Sequence, residues 1–143
     1  MQVKQVMTSD VDVVGPDDVI REAAMKMRSL DVGAIPVCDG DRLCGMLTDR
    51  DITIRAVAEG RDAAGTPVRD VMTPNIVYVL ETQDTDEAAR LMEERQVRRL
   101  PVLNAKKRLV GIVSLGDLAV GTRDTERIGQ TLEEVSAPAE PKR

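Results

Sequence analysis

Two short stretches carry the residue types from which a binding site can be built. Gly45-Met46-Leu47-Thr48-Asp49-Arg50-Asp51-Ile52 and Gly111-Ile112-Val113-Ser114-Leu115-Gly116-Asp117-Leu118 follow one plan. Each runs from a glycine through a short apolar strand to a hydroxyl residue, with an aspartate three residues later. That pattern predicts a strand passing directly into a capped helix. Such a corner brings backbone N–H groups, a hydroxyl and a carboxylate to one point, where an anion can sit on the N–H groups and a diol on the carboxylate. Capping alone is also a sufficient reason for Thr48 with Asp51 and Ser114 with Asp117, since a hydroxyl N-cap stabilises any helix by about 0.5–2 kcal/mol. Catalysis has less support. The chain has no histidine, no Gly-rich phosphate loop, and no serine or cysteine beside a recognisable base, so no catalytic residue is expected.

The elements that must position these corners also occur twice. A constant shift lays Val3, Val6, Met7 and Thr8 on Val68, Val71, Met72 and Thr73, and Glu22, Ala23, Ala24 and Met27 on Glu87, Ala88, Ala89 and Met92. It also lays Val32, Pro36 and Val37 on Val97, Pro101 and Val102, and after a turn one residue longer Gly45 and Asp51 meet Gly111 and Asp117. Nearly all of Val3 to Val120 takes part, which marks a duplication. Within the first copy, Val3–Met7 reads as a turn or helical entry and Val11–Val14 as a strand. Ile20, Ala23, Ala24, Met27 and Leu30 form a helical stripe. Ala34–Cys38 and Leu43–Leu47 read as a hairpin about Asp39-Gly40-Asp41, and Asp49 to about Glu59 as a second helix. The second copy predicts a strand at Ile76–Leu80, a helix from Thr85 to about Arg95, a hairpin of Leu100–Leu103 with Leu109–Val113, and a last helix from Gly116 to Val120. The expected organisation is therefore residues 1–60 and 68–121 as repeats, a linker at 61–67, and 122–143 as a C-terminal helical turn through Ile128, Leu132 and Val135 followed by a mobile tail from Ser136. The fold class is α+β. Neither repeat is long enough to cover its own sheet, so the two are expected to pack sheet to sheet about a pseudo-twofold axis, with the corners in clefts between them.

Composition narrows the function. The chain has 143 residues, 42% hydrophobic and 31% charged, which suits a globular domain. One tyrosine and no phenylalanine or tryptophan leave a core of aliphatic residues and no stacking platform for single-stranded nucleic acid. A net charge of -5 opposes binding to a phosphate backbone. Apolar runs are too short to span a membrane, the first residues lack the apolar segment of a signal peptide, and the expected compartment is the cytoplasm. Cys38 and Cys44 read as reduced core residues, with a hairpin disulfide or a metal pair as the alternatives. No metal site is expected without histidine.

Taken together and in order, Val6-Met7-Thr8, Ile35-Pro36-Val37 and Gly45 to Ile52, then Val71-Met72-Thr73-Pro74, Leu100-Pro101-Val102 and Gly111 to Leu118, resemble a tandem pair of cystathionine β-synthase (CBS) domains. With nothing else in the chain, it is similar to the small stand-alone bacterial members, including the hypoxic-response kind. The resemblance implies a regulatory module that binds adenosine-containing ligands (AMP, ADP, ATP, S-adenosylmethionine or NAD(H)) and relays their presence to a protein partner, without an obligatory cofactor. It implies a homodimer formed through the CBS helices. It assigns ribose recognition to Asp51 and Asp117, with Thr48 and Ser114 beside the ribose or phosphate and the strand residues Met46 and Ile112 in the same motifs. Val32-Gly33 and Val97-Arg98-Arg99 would line the cleft, and Thr8, Val13, Thr73 and Tyr78 would close over the adenine.

Elementary chemistry agrees where it applies. A carboxylate accepts from two neighbouring hydroxyls at once, and a guanidinium suits phosphate. Arg98-Arg99 supplies two guanidinium groups where the first copy has Gly33-Ala34, so the two sites should differ, with Ser114, Asp117 and Arg99 forming the better phosphate site. The basic pair also reads as a solvated turn pairing with Glu93 or Glu94. A module without ligand, acting under stress through its surface or through Cys38 and Cys44, is the alternative function.

Overall fold

A computed structural model describes residues 1–138. In chain order its strands and helices are β1 (Thr8–Ser9), α1 (Ile20–Leu30), β2 (Ala34–Asp39), β3 (Arg42–Thr48), α2 (Asp49–Ile52), β4 (Thr73–Pro74), β5 (Val79–Leu80), α3 (Thr85–Arg95), β6 (Arg99–Leu103), β7 (Leu109–Ser114), α4 (Leu115–Thr122) and α5 (Thr125–Val135). Turns of 3-10 helix at Val3–Gln5 and Val68–Asp70 precede β1 and β4.

The chain divides into two compact units, and neither is a contiguous repeat. One consists of Asp12–Ile76, and the other joins Met1–Val11 to Val77–Arg143. The first is called the inner unit here and the second the outer unit. Each repeat's entry segment thus belongs to the sheet of the other repeat. In the outer unit β1 lies antiparallel on β7, with Thr8 opposite Ile112, and the order is β1-β7-β6-β5. In the inner unit β4 lies on β3, with Thr73 opposite Met46, and the order is β2-β3-β4. Backbone hydrogen bonds fix the same arrangement. Val3 N donates to Gln83 O at 2.8 Å in the outer unit, and Val68 N donates to Asp18 O at 2.7 Å in the inner one.

Local sequence explains the elements. The first hairpin turns at Gly40, whose φ of 64° is cheap only for glycine. The longer second one is tied by the Asn104 side chain, which accepts from the N–H groups of Lys106 and Arg108 at 3.0 Å each. Helices α1 and α3 both end on a left-handed residue, Asp31 and Gln96. The inner core gathers Ile20, Ala23, Met27, Ile35, Val37 and Leu47, and the outer core Ala88, Met92, Leu100, Val102, Val113 and Leu118. Among the described residues no helix is long and apolar enough to cross a membrane.

Several expectations need correction. The strand expected at Val11–Val14 reduces to one bridge from Val14 to Val37, because only Val14 meets the edge of β2. The strand at Ile76–Leu80 shortens to Val79–Leu80, paired parallel to β6. The second inner helix changes after Ile52 into a π-helical turn, Thr53–Val57, closed by Ala58 N on Thr53 O at 2.9 Å. The linker's last part is folded structure: Asp62 O accepts from Thr66 N, and Thr66 O accepts from Ile20 N at the start of α1. Of the α1 stripe, Ala24 and Leu30 face solvent. For Ala24 the reason is the lack of a covering helix, since Ala89, its outer counterpart, is buried where α5 packs on α3. The C-terminal turn is a full helix, and the expected tail lies outside the described residues from residue 139 onward.

The two cysteines are free thiols. Cys38 is buried in β2 opposite Leu43, and Cys44 occupies the bulge that follows, half-buried. Burial foremost, then the neighbouring Cys44 and Asp41, pushes the Cys38 thiol from 9.0 up to about 11. The folded chain is therefore the tighter proton binder. This thiol's contribution to stability is whole below pH 9 and is lost as pH rises toward 11. Iodoacetamide at pH 8 should label Cys44 well before Cys38, with Cys38 reacting only on unfolding; equal rates by mass spectrometry would contradict this packing.

Two glycines allow the entry strands to close. A methyl group at Gly111 would stand 2.6 Å from Thr8 O and 2.8 Å from Met7 Sδ, and one at Gly45 would stand 2.5 Å from Thr73 O. Gly111→Ala and Gly45→Ala should each cost about 1–3 kcal/mol, lowering the melting temperature by several degrees. An unchanged melting curve would show that β1 and β4 do not press on those strands.

Candidate functional site

Each strand-to-helix corner is built by reciprocal capping. At the outer corner Ser114 Oγ accepts from Asp117 N at 3.0 Å, and Asp117 Oδ2 accepts from Ser114 N at 2.9 Å. At the inner corner Thr48 Oγ1 accepts from Asp51 N at 3.0 Å, and Asp51 Oδ2 accepts from Thr48 N at 3.0 Å. The next amide of each helix is held by the loop before the preceding strand, Leu115 N on Arg98 O at 2.8 Å and Asp49 N on Gly33 O at 2.9 Å. The loop residues Gly33 and Arg98 are therefore fixed to the corners by their main chain, whatever their side chains do.

The surroundings differ. Asp51 is buried, and the Thr73 hydroxyl reaches both of its oxygens, at 3.3 and 3.5 Å. The Arg55 guanidinium lies 4.0 Å from Asp51 Oδ1 and donates to Met72 O at 3.0 Å. The inner carboxylate is thus satisfied from three sides by its own unit. Asp117 is half-buried, and its Oδ1 accepts no hydrogen bond from a described residue. Thr8, the counterpart of Thr73, is exposed and paired to Ile112 only through the backbone. The outer carboxylate therefore keeps an oxygen for an external donor.

The other expected residues are distributed as follows. Arg99 stands opposite Ser114 across β6 and β7, exposed and without a hydrogen bond or ion pair to a described residue. Arg98 is turned elsewhere: its Nη2 donates to Ser136 Oγ at 3.1 Å, beyond the end of α5. Glu93, weighed as a partner for the arginine pair, is bound instead by Arg127 and by the Thr131 hydroxyl at 2.8 Å. Val97 packs against the outer core, while Val32 is 42% exposed. Val13 is half-buried, its carbonyl accepting from Lys26 Nζ at 2.8 Å, and Tyr78 is exposed before β5. The structure brings Thr8 and Ile112 together with Ser114, Asp117 and Arg99, and Thr73 and Met46 together with Thr48 and Asp51, each set within one unit. Beside the Thr8–Ile112 pair a cleft of about 320 Å³ is lined by Ser9, Asp10, Val11, Leu109, Val110 and Gly111. That volume lies at the low end for small-molecule pockets, about 300–1,000 Å³.

Sequence reasoning missed Arg55 and Gln96. Arg55 was legible as the i+4 neighbour of Asp51 on a helix. Gln96, whose amide reaches a helix 38 residues away, carried no local signal. Among the described residues no group of three or more His, Cys, Asp or Glu side chains is placed to hold a metal ion.

Comparison with known proteins accords with this duplicated architecture. The family model for the CBS domain matches residues 3–57 and 68–120. The CBS domain-containing protein YhcV of Bacillus subtilis is 46% identical over 134 residues, covering 94% of each chain. Among solved structures, Hypoxic Response Protein I with two coordinated zinc ions is similar at a TM-score of 0.78 and 41% identity, over 84% of this chain and 98% of that one. CBSX2 in complex with AMP is similar at a TM-score of 0.75 and 29% identity, over 87% and 98%. Two matched copies, a relative of nearly the same length and these neighbours all agree: the chain belongs to the CBS-domain family and carries the domain as a tandem pair.

Proposed function

We propose that this chain is a non-catalytic, cytoplasmic regulatory module that binds an anionic adenosine ligand at its outer corner and relays occupancy to a protein partner, as a homodimer. The carrying observation is that neither Asp117 Oδ1 nor the Arg99 side chain, opposite Ser114, engages a described residue. A carboxylate oriented through one oxygen by its own helix presents the other to the two hydroxyls of a ribose. Arg99, across the strand pair from Ser114, meets the phosphate. The exposed Thr8 edge and its neighbouring cleft offer an aliphatic wall for the base.

The inner corner supports weaker binding. Its carboxylate already holds the Thr73 hydroxyl, and Gly33-Ala34 brings no charge. A ligand there must displace Thr73 before it gains anything. S-adenosylmethionine, with a net positive charge, offers Arg99 only a carboxylate and no phosphate, which favours AMP, ADP, ATP or NAD(H) at the outer corner. AMP, bound in the CBSX2 structure, is the first probe. Relay to a partner needs only a ligand with different affinity for two conformations.

A thermal-shift panel with AMP, ADP, ATP, S-adenosylmethionine, NAD and NADH tests this, read with an external dye because Tyr78 is the only aromatic residue. A ligand at a hundred times its Kd should add about 2.7 kcal/mol of stability. Asp117→Ala also removes half of a capping box, at about 1 kcal/mol, so affinity in the variant is measured by calorimetric titration. Affinity should fall at least tenfold in Asp117→Ala and change little in Asp51→Ala. Equal losses would refute the assignment to the outer corner, and no binding by any compound would leave the corners as helix caps in an interaction module.

A further inference from the structure

Three elements of the outer unit meet at the three residues Gln96, Val97 and Arg98. Gln96 is the left-handed cap that ends α3. The Arg98 carbonyl holds the first amide of α4 at the ligand corner. The same loop also grips the far end of α5. Gln96 Nε2 donates to the carbonyls of Glu134 and Ala137, both at 3.3 Å, and Arg98 Nη2 donates to Ser136 Oγ. Glu134 O also accepts from Ala137 N at 3.3 Å, and Ala137 lies just past the helix, so the loop adds side-chain donors to an α5 end that its own backbone already caps.

The rest of α5 is anchored independently. Thr131 is fully buried and Val135 joins the outer core. The Thr131 hydroxyl and the Arg127 guanidinium share Glu93 Oε1, and Arg127 Nε lies 4.0 Å from Asp86. The segment just past α5, Ser136 and Ala137, is met by Arg98 and Gln96. The inner unit has no such helix, and at the matching positions it carries Asp31, Val32 and Gly33.

We infer that the end of α5, at Ser136 and Ala137, is a latch on the ligand corner, and that a phosphate bound beside Arg99 draws Arg98 off Ser136 and releases that end. The inference rests on the anionic-ligand reading of this corner. A phosphate is a charge-assisted acceptor and the Ser136 hydroxyl a neutral one, so a phosphate held beside Arg99 competes with Ser136 for the adjacent Arg98 guanidinium. The coupling is reciprocal: whatever ligand does to the latch, loss of the latch does to ligand affinity. The sensor's output is then the freed end of a helix, a surface able to recruit a partner.

Hydrogen–deuterium exchange on the full chain tests this. Three segments are followed: residues 115–118, residues 133–137, and residues 49–52 as the internal reference. Saturating AMP should slow exchange at 115–118 and speed it several-fold at 133–137. Arg98→Ala without nucleotide should speed 133–137 to a similar extent and leave 49–52 unchanged. Ser136→Ala keeps the arginine and removes its tether, so AMP affinity should rise by about two- to fivefold. Slower exchange at 115–118 with 133–137 unchanged or further protected would overturn the latch while leaving the nucleotide site intact. No protection at 115–118 by AMP would count against the nucleotide reading. Unaltered exchange at 133–137 in Arg98→Ala would by itself overturn the latch, whatever the nucleotide does.

Discussion

The structure depends on one reciprocal interaction, a hydroxyl and a carboxylate three residues apart exchanging hydrogen bonds with each other's backbone at the end of a strand. Ser114 with Asp117, and Thr48 with Asp51, satisfy amides at the start of a helix that would otherwise lack partners. The same bonds hold the carboxylate in a single orientation. Because β3 and β7 run straight into their helices, the corner's position is set by the sheet, and the preceding loop is fixed to it through the carbonyls of Gly33 and Arg98. Capping and recognition are two uses of one geometry. They diverge only in what happens at the oxygen the cap leaves over.

That oxygen shows how the duplicated halves have separated. The inner unit closes on itself: Thr73 and Arg55 attend Asp51, and a neutral loop faces it. The outer unit stays open, with Thr8 exposed, Arg99 paired to no described residue and an additional helix laid over α3. A satisfied carboxylate gains little from a ligand, whereas one with spare acceptor capacity gains a charge-assisted bond. At the corners the asymmetry follows from a few side chains around the same capping geometry.

Much of this was legible in the chain because it is local. The hydroxyl–acid spacing, the Asp39-Gly40-Asp41 turn, the stripe through Ile20, Ala23 and Met27, and the Ile128–Val135 face are periodic or contiguous signals, and each produced the expected element. What stayed hidden depends on distant partners. Nothing in Val11–Val14 says that only Val14 will find a strand edge, nor in Thr8 that it will lie opposite Ile112. The two arginines before β6 look alike in sequence, yet one is captured by Ser136 and the other is not. Ala24 and Ala89 occupy equivalent positions, and their difference in exposure is decided by α5, which only one repeat has.

The exchange of entry segments bears on how the protein is made. The inner unit is a continuous stretch, complete once Ile76 has been synthesised, and its parts can assemble as they emerge. The outer unit takes one segment from before the inner unit and the rest from after it. Val3 and β1 must wait, unpaired, until Gln83 and then β7 appear. At about 5–20 residues per second that interval lasts several seconds, during which β1 is an unmatched strand. A messenger cut short after the first repeat would yield a hook without its sheet and a sheet without its hook. Each unit therefore needs a segment of both repeats, even though the sequence reads as the same word written twice.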